Sequence, residues 1–261
     1  MFKTFPDASM RQECTPANVL SAARLLSILK TVSKKDLYNY YRLGIPNNNT
    51  QFAKYSSDAI CELGIAQVND VGYRFVGNEK DLESLEVFRK FVSKFVSEHP
   101  EIGIYQFIEK MIECNEDFSI NTSMDDIVVF MAKNKFDVDK NAVSCLCTWM
   151  DFLGFGVRIP GGGFIPNLAT RLKDAFNTCK CEKVMNKASF KEWLYYSIPE
   201  VKKAMNINGK MLPYALSNGL RTLRSEGFIE LIFTKDADRF ELYPIEVYGV
   251  EEFASITIKE G

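Results

Sequence analysis

Three glycines constrain the fold of this chain most, because each one separates a helical run from a pair of short apolar runs. Gly64, Gly154 and Gly227 follow stretches in which apolar residues recur at helical spacing. Glycine reaches the left-handed backbone conformation that ends a helix without strain at Cβ. Two apolar runs around a polar or Gly-rich turn indicate a β-hairpin. The sequence therefore predicts three helix–glycine–hairpin segments, with hairpin runs at 65–68 and 73–76, at 155–159 and 164–165, and at 228–233 and 239–243.

Further helix signals lie before and between these glycines. Thr15 followed by Pro16 is typical of a helix start, and Ser123 with Asp126 forms a capping pattern. An amphipathic stripe over 81–98 favours a helix with a buried apolar face over one that offers this face to a partner. We therefore expect a mainly α protein with small β-hairpins, of the α+β class. Its expected parts are a tail (1–14), a first unit (15–77), a linker helix (78–99), a second unit (100–167), a third, basic unit (168–245) and a C-terminal tail or edge strand (246–261).

The junctions Leu63-Gly64-Ile65 and Leu153-Gly154-Phe155 lie between helices and a hairpin, and this layout resembles the winged-helix superfamily of helix-turn-helix proteins. The third junction departs from the pattern, since Glu226 stands in the place of the leucine. The resemblance implies tandem winged-helix units joined by amphipathic helices. It also implies that the last helix before a hairpin can enter a major groove, with hairpin residues on the flanking backbone. Many winged helices bind only proteins, so the resemblance leaves the function open.

A second resemblance covers the first third of the chain. The stretch from Thr15 to Leu20, followed by Arg24-Leu25-Leu26 and by the Leu63-Gly64 hairpin, is similar to winged-helix components of bacterial phage-defence and DNA-modification gene clusters. This resemblance implies a part in a multiprotein system of antiviral defence.

Charge is distributed unevenly along a chain whose net charge is only −2. Residues 169–224 hold eleven basic and four acidic side chains, whereas residues 225–261 hold three basic and nine acidic ones. Residues 78–126 are also acidic, with five basic and twelve acidic side chains. Such asymmetry can orient a protein on a polyanion or on a charged partner, and ordinary solvated lysines are the alternative explanation.

The basic third unit (168–245) leads us to expect double-stranded DNA as a partner. We expect this unit to contact mostly the phosphate backbone of the DNA. The amide side chains of Asn49 and Gln51, near the third helix of the first unit (15–77), can in addition read adenine edges. The second unit (100–167) and the acidic stretch 78–126 are expected to bind protein, because the last helix of that unit opens with Asp137 and Asp139. The candidate nucleic-acid-binding residues are Asn49, Gln51, Lys54, Lys202, Lys203, Lys210, Tyr214, Asn218, Arg221, Arg224, Lys235 and Arg239.

The competing hypothesis is a pure protein–protein adaptor that uses the same units as docking surfaces and binds no DNA. The isoelectric point of about 5.7 favours it, because dedicated DNA-binding domains are usually basic. One or more partner proteins are expected under both hypotheses. A nuclease is the third possibility, and it requires carboxylates that cluster in space.

The candidate catalytic residues favour a binding protein over an enzyme. His99 is the only histidine, and its place before Pro100 at a helix end suits a partner of the helix dipole better than a catalytic base. The run Gly161-Gly162-Gly163 lacks the Gly-Lys-Ser/Thr of a phosphate loop and suits a hairpin turn. Asp125 and Asp126 lie at a helix start, where carboxylates stabilise the dipole.

We expect no cofactor and no metal. The pairs Cys145/Cys147 and Cys179/Cys181 have one intervening residue, whereas zinc ligands usually have two or more on a turn. Seven scattered cysteines fit reduced thiols in a cytosol. The start of the chain lacks the apolar run of a signal peptide, and the run 127–132 is far too short to cross a bilayer. We therefore expect a cytoplasmic protein without a membrane partner or a small-molecule substrate.

Overall fold

The computed structural model describes residues 3–4, 14–43, 50–114, 122–245 and 249–259. Helices dominate these residues and the strands form small sheets of two or three strands, so the protein belongs to the α+β class. The chain divides into two compact units. Compact unit 1 comprises Met1–Phe107 and Ser123–Leu153, and compact unit 2 comprises Ile108–Thr122 and Gly154–Gly261. This division differs from the expected three units, because it passes through the second segment, 100–167.

Compact unit 1 is built mainly from helices. Its first helix begins as predicted, since the Thr15 hydroxyl accepts a hydrogen bond from the Asn18 amide and Pro16 is the first helical residue. The helices are α1 (Pro16–Leu29), α2 (Lys34–Leu43), α3 (Thr50–Glu62), α4 (Leu85–Glu98), the first part of α5 (Gly103–Glu113), α6 (Met124–Lys133) and α7 (Lys140–Leu153). The strands are β1 (Lys3–Thr4), β2 (Ala66–Asn69), β3 (Gly72–Phe75) and β4 (Phe136–Asp137).

The first predicted hairpin is confirmed. Gly64 has a φ of +69° after α3, and β2 pairs antiparallel with β3. The chain between α1 and α2 joins this hairpin, because the Val32 amide donates to the Tyr73 carbonyl at 3.2 Å and the Tyr73 amide donates to the Val32 carbonyl at 2.8 Å. The order α1, α2, α3, glycine, hairpin therefore forms one packed group.

The stretch expected as a linker helix belongs to the core of compact unit 1. Helix α4 begins after the Ser84 cap and packs against α1 and α7. Phe88, Val92 and Val96 of its apolar stripe are buried, whereas Leu85 is 46% exposed, so the prediction of burial is confirmed for part of the stripe. The expected tail also takes part in the fold, since β1 pairs in parallel with β4 and the Cys14 carbonyl accepts a hydrogen bond from the Trp149 indole at 2.8 Å.

Compact unit 2 contains the second part of α5 and the elements that follow α7. The second predicted hairpin is confirmed here, because β5 (Gly156–Ile159) pairs antiparallel with β6 (Gly163–Pro166) after Gly154, whose φ is +84°. The later elements are α8 (Ala169–Thr178), β7 (Val184–Asn186), α9 (Lys187–Ser197), α10 (Lys202–Asn208), α11 (Tyr214–Ser225), β8 (Ile229–Ile232), β9 (Phe240–Glu241), β10 (Glu252–Phe253) and β11 (Ser255–Ile258).

The third predicted hairpin is wrong in its strand pairing. Gly227 does end α11, with a φ of +73°, but β8 pairs with β11 and not with β9. Strand β9 pairs with β10 instead. The physical reason is that Ser255–Ile258 offers β8 four paired residues and a buried Ile256, whereas β9 is only two residues long.

The same sheet corrects the expectation for the end of the chain. Strand β11 lies between β7 and β8 and pairs antiparallel with both of them. It is therefore the central strand of a three-stranded sheet, and the segment 246–261 is neither a tail nor an edge strand in its described part.

Candidate nucleic-acid interface

Helix α11, the expected DNA-contacting helix of the third segment, is enclosed on most of its circumference. A Cβ at Gly219 would lie 2.9 Å from the backbone of Leu168, so the two backbones are in close contact. Asn218 lies against the second hairpin and donates to the Pro166 carbonyl at 3.2 Å. The buried residues of α11 are Tyr214, Ala215, Leu216, Ser217, Gly219, Leu220, Arg221 and Leu223.

This burial overturns the expectation that Tyr214 and Arg221 contact nucleic acid. The Tyr214 side chain packs edge-on against the Tyr243 ring, with centroids 5.5 Å apart, and only 7% of the Arg221 side chain is exposed. A side chain in the interior cannot meet a phosphate unless the fold opens. Tyr214 and Arg221 therefore act within compact unit 2.

The arginines of α11 hold a carboxylate of the same chain. Arg221 Nε donates to Glu251 Oε2 at 2.6 Å, and an Arg224 nitrogen donates to Glu251 Oε1 at 2.7 Å. Arg221 also donates to the Tyr243 carbonyl at 2.8 Å, and the Tyr243 amide donates to the Ser217 hydroxyl at 2.8 Å. Partial burial raises the pKa of the Glu251 carboxyl, but the bonds from the two arginines outweigh it and leave this pKa below its ordinary value.

Two more candidate cations are also paired with carboxylates. Arg239 donates to Glu252 at 2.6 Å. Lys203 lies 2.9 Å from Glu113 and 3.2 Å from Glu109. The hydrogen bond that Lys203 donates to Glu113 is the largest cause of a raised pKa at Lys203, so this ammonium stays charged and its charge is balanced by the neighbouring carboxylates. Much of the basic block at 169–224 is therefore balanced inside the fold.

The remaining candidates are exposed or lie outside the described residues. Lys54 on α3 and Lys202, Lys210 and Lys235 of compact unit 2 are exposed. Gln51 belongs to α3 by its backbone, and its side chain is not among those described. Asn49 lies outside the described residues.

One of these exposed lysines, Lys202, belongs to a cluster whose other members are absent from the residues predicted from the sequence. The Tyr195 ring on α9 has Lys191 Nζ 5.4 Å and Lys202 Nζ 5.8 Å from its centroid, within the range of a cation–π contact. The Tyr195 hydroxyl donates to Asn206 Oδ1 of α10 at 2.7 Å. The next residue, Tyr196, is 82% exposed. We call this group, Lys191, Tyr195, Tyr196, Lys202 and Asn206, the tyrosine–lysine patch.

Local sequence explains why α9 presents the patch. The Asn186 side chain caps the helix by accepting from the Ala188 and Ser189 amides at 2.9 and 3.0 Å. One face of the helix is buried through Phe190 and Leu194, so the opposite face is left to solvent. The spacing of Lys191 and Tyr195, four residues apart on one helix, was a signal in the sequence for their contact.

Glu192 also lies on the exposed face of α9, four residues before Tyr196. Across the described part of the chain, neither Lys191 nor Lys202 has a carboxylate within ion-pair distance. Other lysines of compact unit 2 do have one, since Lys187 lies 2.8 Å from Asp238. The patch therefore combines two uncompensated ammonium groups with exposed aromatic surface.

The residues considered for catalysis have structural partners. The His99 ring stacks on Phe95 with centroids 4.2 Å apart, and its Nδ1 lies 2.9 Å from Glu101 Oε1. The Ser123 hydroxyl and amide both bond to Asp126 at the start of α6, and these bonds lower the pKa of Asp126. Gly162 lies in the turn between β5 and β6.

The cysteine pairs differ in their surroundings. Cys145 and Cys147 are buried on α7, whereas Cys179 and Cys181 are half-buried after α8. Burial is the first cause of a raised pKa at Cys181, and the neighbouring Cys179 adds to it. Within the residues that the structure describes, no three His, Cys, Asp or Glu side chains gather in a way that could hold a metal ion.

Comparison with known proteins gives no match to a protein-family model, to a curated protein or to a solved structure. None of the described helices has the length and apolar character needed to span a membrane.

Proposed function

We propose that this chain is a non-enzymatic nucleic-acid-binding protein that contacts the phosphate backbone through the tyrosine–lysine patch of compact unit 2. The observation that carries the proposal is that the ammonium groups of Lys191 and Lys202 both lie on the Tyr195 ring. No carboxylate of the described residues lies within ion-pair distance of either group. Lysines that neutralise phosphates release condensed counterions, which supplies affinity without reading sequence. The proposal moves the expected contact from α11 to α9 and α10.

A winged-helix identity is part of the proposal and is compatible with a nucleic-acid role, since winged helices bind nucleic acid or protein. In compact unit 1 the chain runs through three helices, a left-handed glycine and a hairpin, the order expected for such a unit. In compact unit 2 the helices α9, α10 and α11 are followed by Gly227 and β8. A part in a multiprotein assembly for antiviral defence rests on the resemblance of the opening segment and stays a prediction.

The test is the affinity of the full chain for a fluorescein-labelled oligonucleotide, measured by fluorescence anisotropy at low salt. The double variant Lys191→Ala/Lys202→Ala is expected to bind at least about tenfold more weakly, because two phosphate contacts are lost. The matched control is Lys173→Ala/Lys259→Ala, which removes two cations of the same unit that already have partners, Glu226 at 3.2 Å and Glu230 at 3.2 Å. An equal loss of affinity in both double variants would contradict the proposal, because the loss would then depend on net charge alone.

The adaptor hypothesis remains a second candidate because of the hairpin in compact unit 1. Val68 and Val71 near its turn are 63% and 74% exposed. Exposed apolar residues on a hairpin are suited to a protein contact, where a few buried side chains supply most of the affinity. Co-purification from the host with Val68→Ser/Val71→Ser is the test. Loss of a partner that the wild-type chain and the Val184→Ser control both retain would support the adaptor role.

A further inference from the structure

Among the residues that the structure describes, the large apolar side chain with the greatest exposed fraction belongs to the patch. Tyr196 is 82% exposed, and it follows directly on Tyr195, which is held by Asn206 and by two lysines. Single exposed apolar residues are common on proteins. Tyr196 differs because the residue before it on the same helix, Tyr195, carries two cations on its ring, and lysines combined with exposed aromatic rings are typical of sites that bind single-stranded nucleic acid.

We propose that the tyrosine–lysine patch binds single-stranded nucleic acid, with bases stacking on Tyr196 and phosphates contacting Lys191 and Lys202. This inference rests on the proposed function and specifies its ligand. Aromatic side chains stack on the bases of single strands, whereas the bases of a duplex are already stacked on one another and hide their faces.

The two tyrosines have different parts. Tyr195 positions the cations, because both ammonium groups lie less than 6 Å from its ring centre and its hydroxyl is fixed on Asn206. Tyr196 is the stacking residue, because its ring is open to solvent. A nucleic-acid strand that crosses α9 therefore meets the cations of Lys191 and Lys202 and the ring of Tyr196 within one or two helical turns.

The enclosed α11 argues for a single strand over a duplex at this place. Duplex recognition by helix-turn-helix proteins places an exposed helix in the major groove. Helix α11 of the same unit is buried on most of its circumference, and its arginines hold Glu251. Stacking of a base on Tyr196 of α9 does not require a helix to enter a major groove.

Glu192 limits the path of the strand. Its carboxylate lies on the exposed face of α9, three residues before Tyr195 and four before Tyr196. A phosphate that passes this carboxylate is repelled, so we place the phosphates on the side of Lys191 and Lys202. Glu192→Gln is expected to tighten binding of a single strand about twofold to fivefold, by removing this repulsion.

The experiment compares three fluorescein-labelled probes of about 12 nucleotides with the full chain: oligodeoxythymidine, oligouridine and a DNA duplex. The wild-type chain is expected to bind both single strands more tightly than the duplex. Tyr196→Ala is expected to weaken binding of the single strands about tenfold and that of the duplex little, while Tyr196→Phe keeps most of the affinity. The control is Tyr40→Ala, an exposed tyrosine of compact unit 1, which should leave binding unchanged.

The outcomes separate this inference from the proposed function. If Tyr196→Ala has no effect while Lys191→Ala/Lys202→Ala weakens every probe, backbone binding stands and stacking on Tyr196 is wrong. If the wild-type chain prefers the duplex, the single-strand assignment is also overturned. If it binds none of the probes at low salt, both proposals fall. If the affinities for oligodeoxythymidine and oligouridine differ several-fold, the tighter probe shows whether the patch binds single-stranded DNA or RNA.

Discussion

The side chains of Arg221 and Glu251 are joined by a 2.6 Å hydrogen bond between residues 30 positions apart in the chain. The contact lies on α11, where only 7% of the Arg221 side chain is exposed, and Arg224 bonds to the other oxygen of the same carboxylate. A buried guanidinium needs a partner, because an uncompensated charge in the interior is costly. This pair therefore holds the chain around Tyr243 and Glu251 on α11.

Glu251→Gln is expected to lower the free energy of unfolding by roughly 3 kcal/mol, because it leaves Arg221 without its charged partner in a buried place. The matched control is the neighbouring residue. Glu252→Gln removes the partner of Arg239, a pair that is about 30% exposed, and is expected to cost less than about 1 kcal/mol. Urea denaturation followed by circular dichroism measures both. Equal destabilisation by the two variants would mean that Arg221 does not depend on Glu251.

The pH dependence of this pair has a definite sign. The pKa of Glu251 is lowered in the folded protein, so its contribution to stability is fully present above the unfolded-state pKa of about 4.5 and is lost as the pH falls through the folded-state value. The difference in urea midpoint between the wild-type chain and Glu251→Gln is therefore expected to be constant near pH 7 and to shrink below about pH 4.5. A difference that grows as the pH falls would contradict this account.

Gly154→Ala is expected to destabilise the protein more than Gly227→Ala, although both glycines of compact unit 2 have a left-handed backbone. Each substitution costs about 1–2 kcal/mol through backbone strain. A Cβ at Gly154 would in addition lie 2.9 Å from the Arg171 backbone nitrogen, whereas a Cβ at Gly227 would have no atom of the described residues within 4 Å. Thermal unfolding of the two variants measures the difference. A larger loss at Gly227 would show that its surroundings are tighter than the structure indicates.

Ile256→Ala tests the corrected sheet. Ile256 is fully buried on β11, the strand between β7 and β8, and its truncation is expected to cost roughly 3 kcal/mol. Val184→Ala on β7 is the control, because half of that side chain is exposed and the cost should stay within about 0.5 kcal/mol. If residues 255–258 formed only a tail, the two variants would unfold at the same urea concentration.

Local patterns in the sequence predicted local structure well. The left-handed glycines at 64, 154 and 227 and the hairpins after Gly64 and Gly154 follow from a few neighbouring residues. The third hairpin failed because the partner of β8 is β11, more than twenty residues further along the chain. Alternation of apolar residues marks a strand but does not identify which distant strand it pairs with.

Charge counting had the same weakness. The sequence shows an excess of cations at 169–224, yet it does not show that Glu251 meets Arg221 or that Glu113 meets Lys203, because these pairs are distant in the chain. Lys191 and Tyr195 were within reach of the sequence, since residues four apart on a helix are neighbours. The addition of Lys202 required the fold, because it belongs to the next helix.

The salt dependence of nucleic-acid binding tests the central proposal most directly. For oligodeoxythymidine, the logarithm of the association constant is expected to fall linearly with the logarithm of the salt concentration, with a slope of about −0.7 for each phosphate that is neutralised. The slope of Lys191→Ala/Lys202→Ala should be less steep by about 1.4 than that of the wild-type chain, since two lysines are missing. The same slope in both proteins, or no binding of the wild-type chain to oligodeoxythymidine, oligouridine or the duplex at low salt, would contradict the proposal that this patch binds the phosphate backbone.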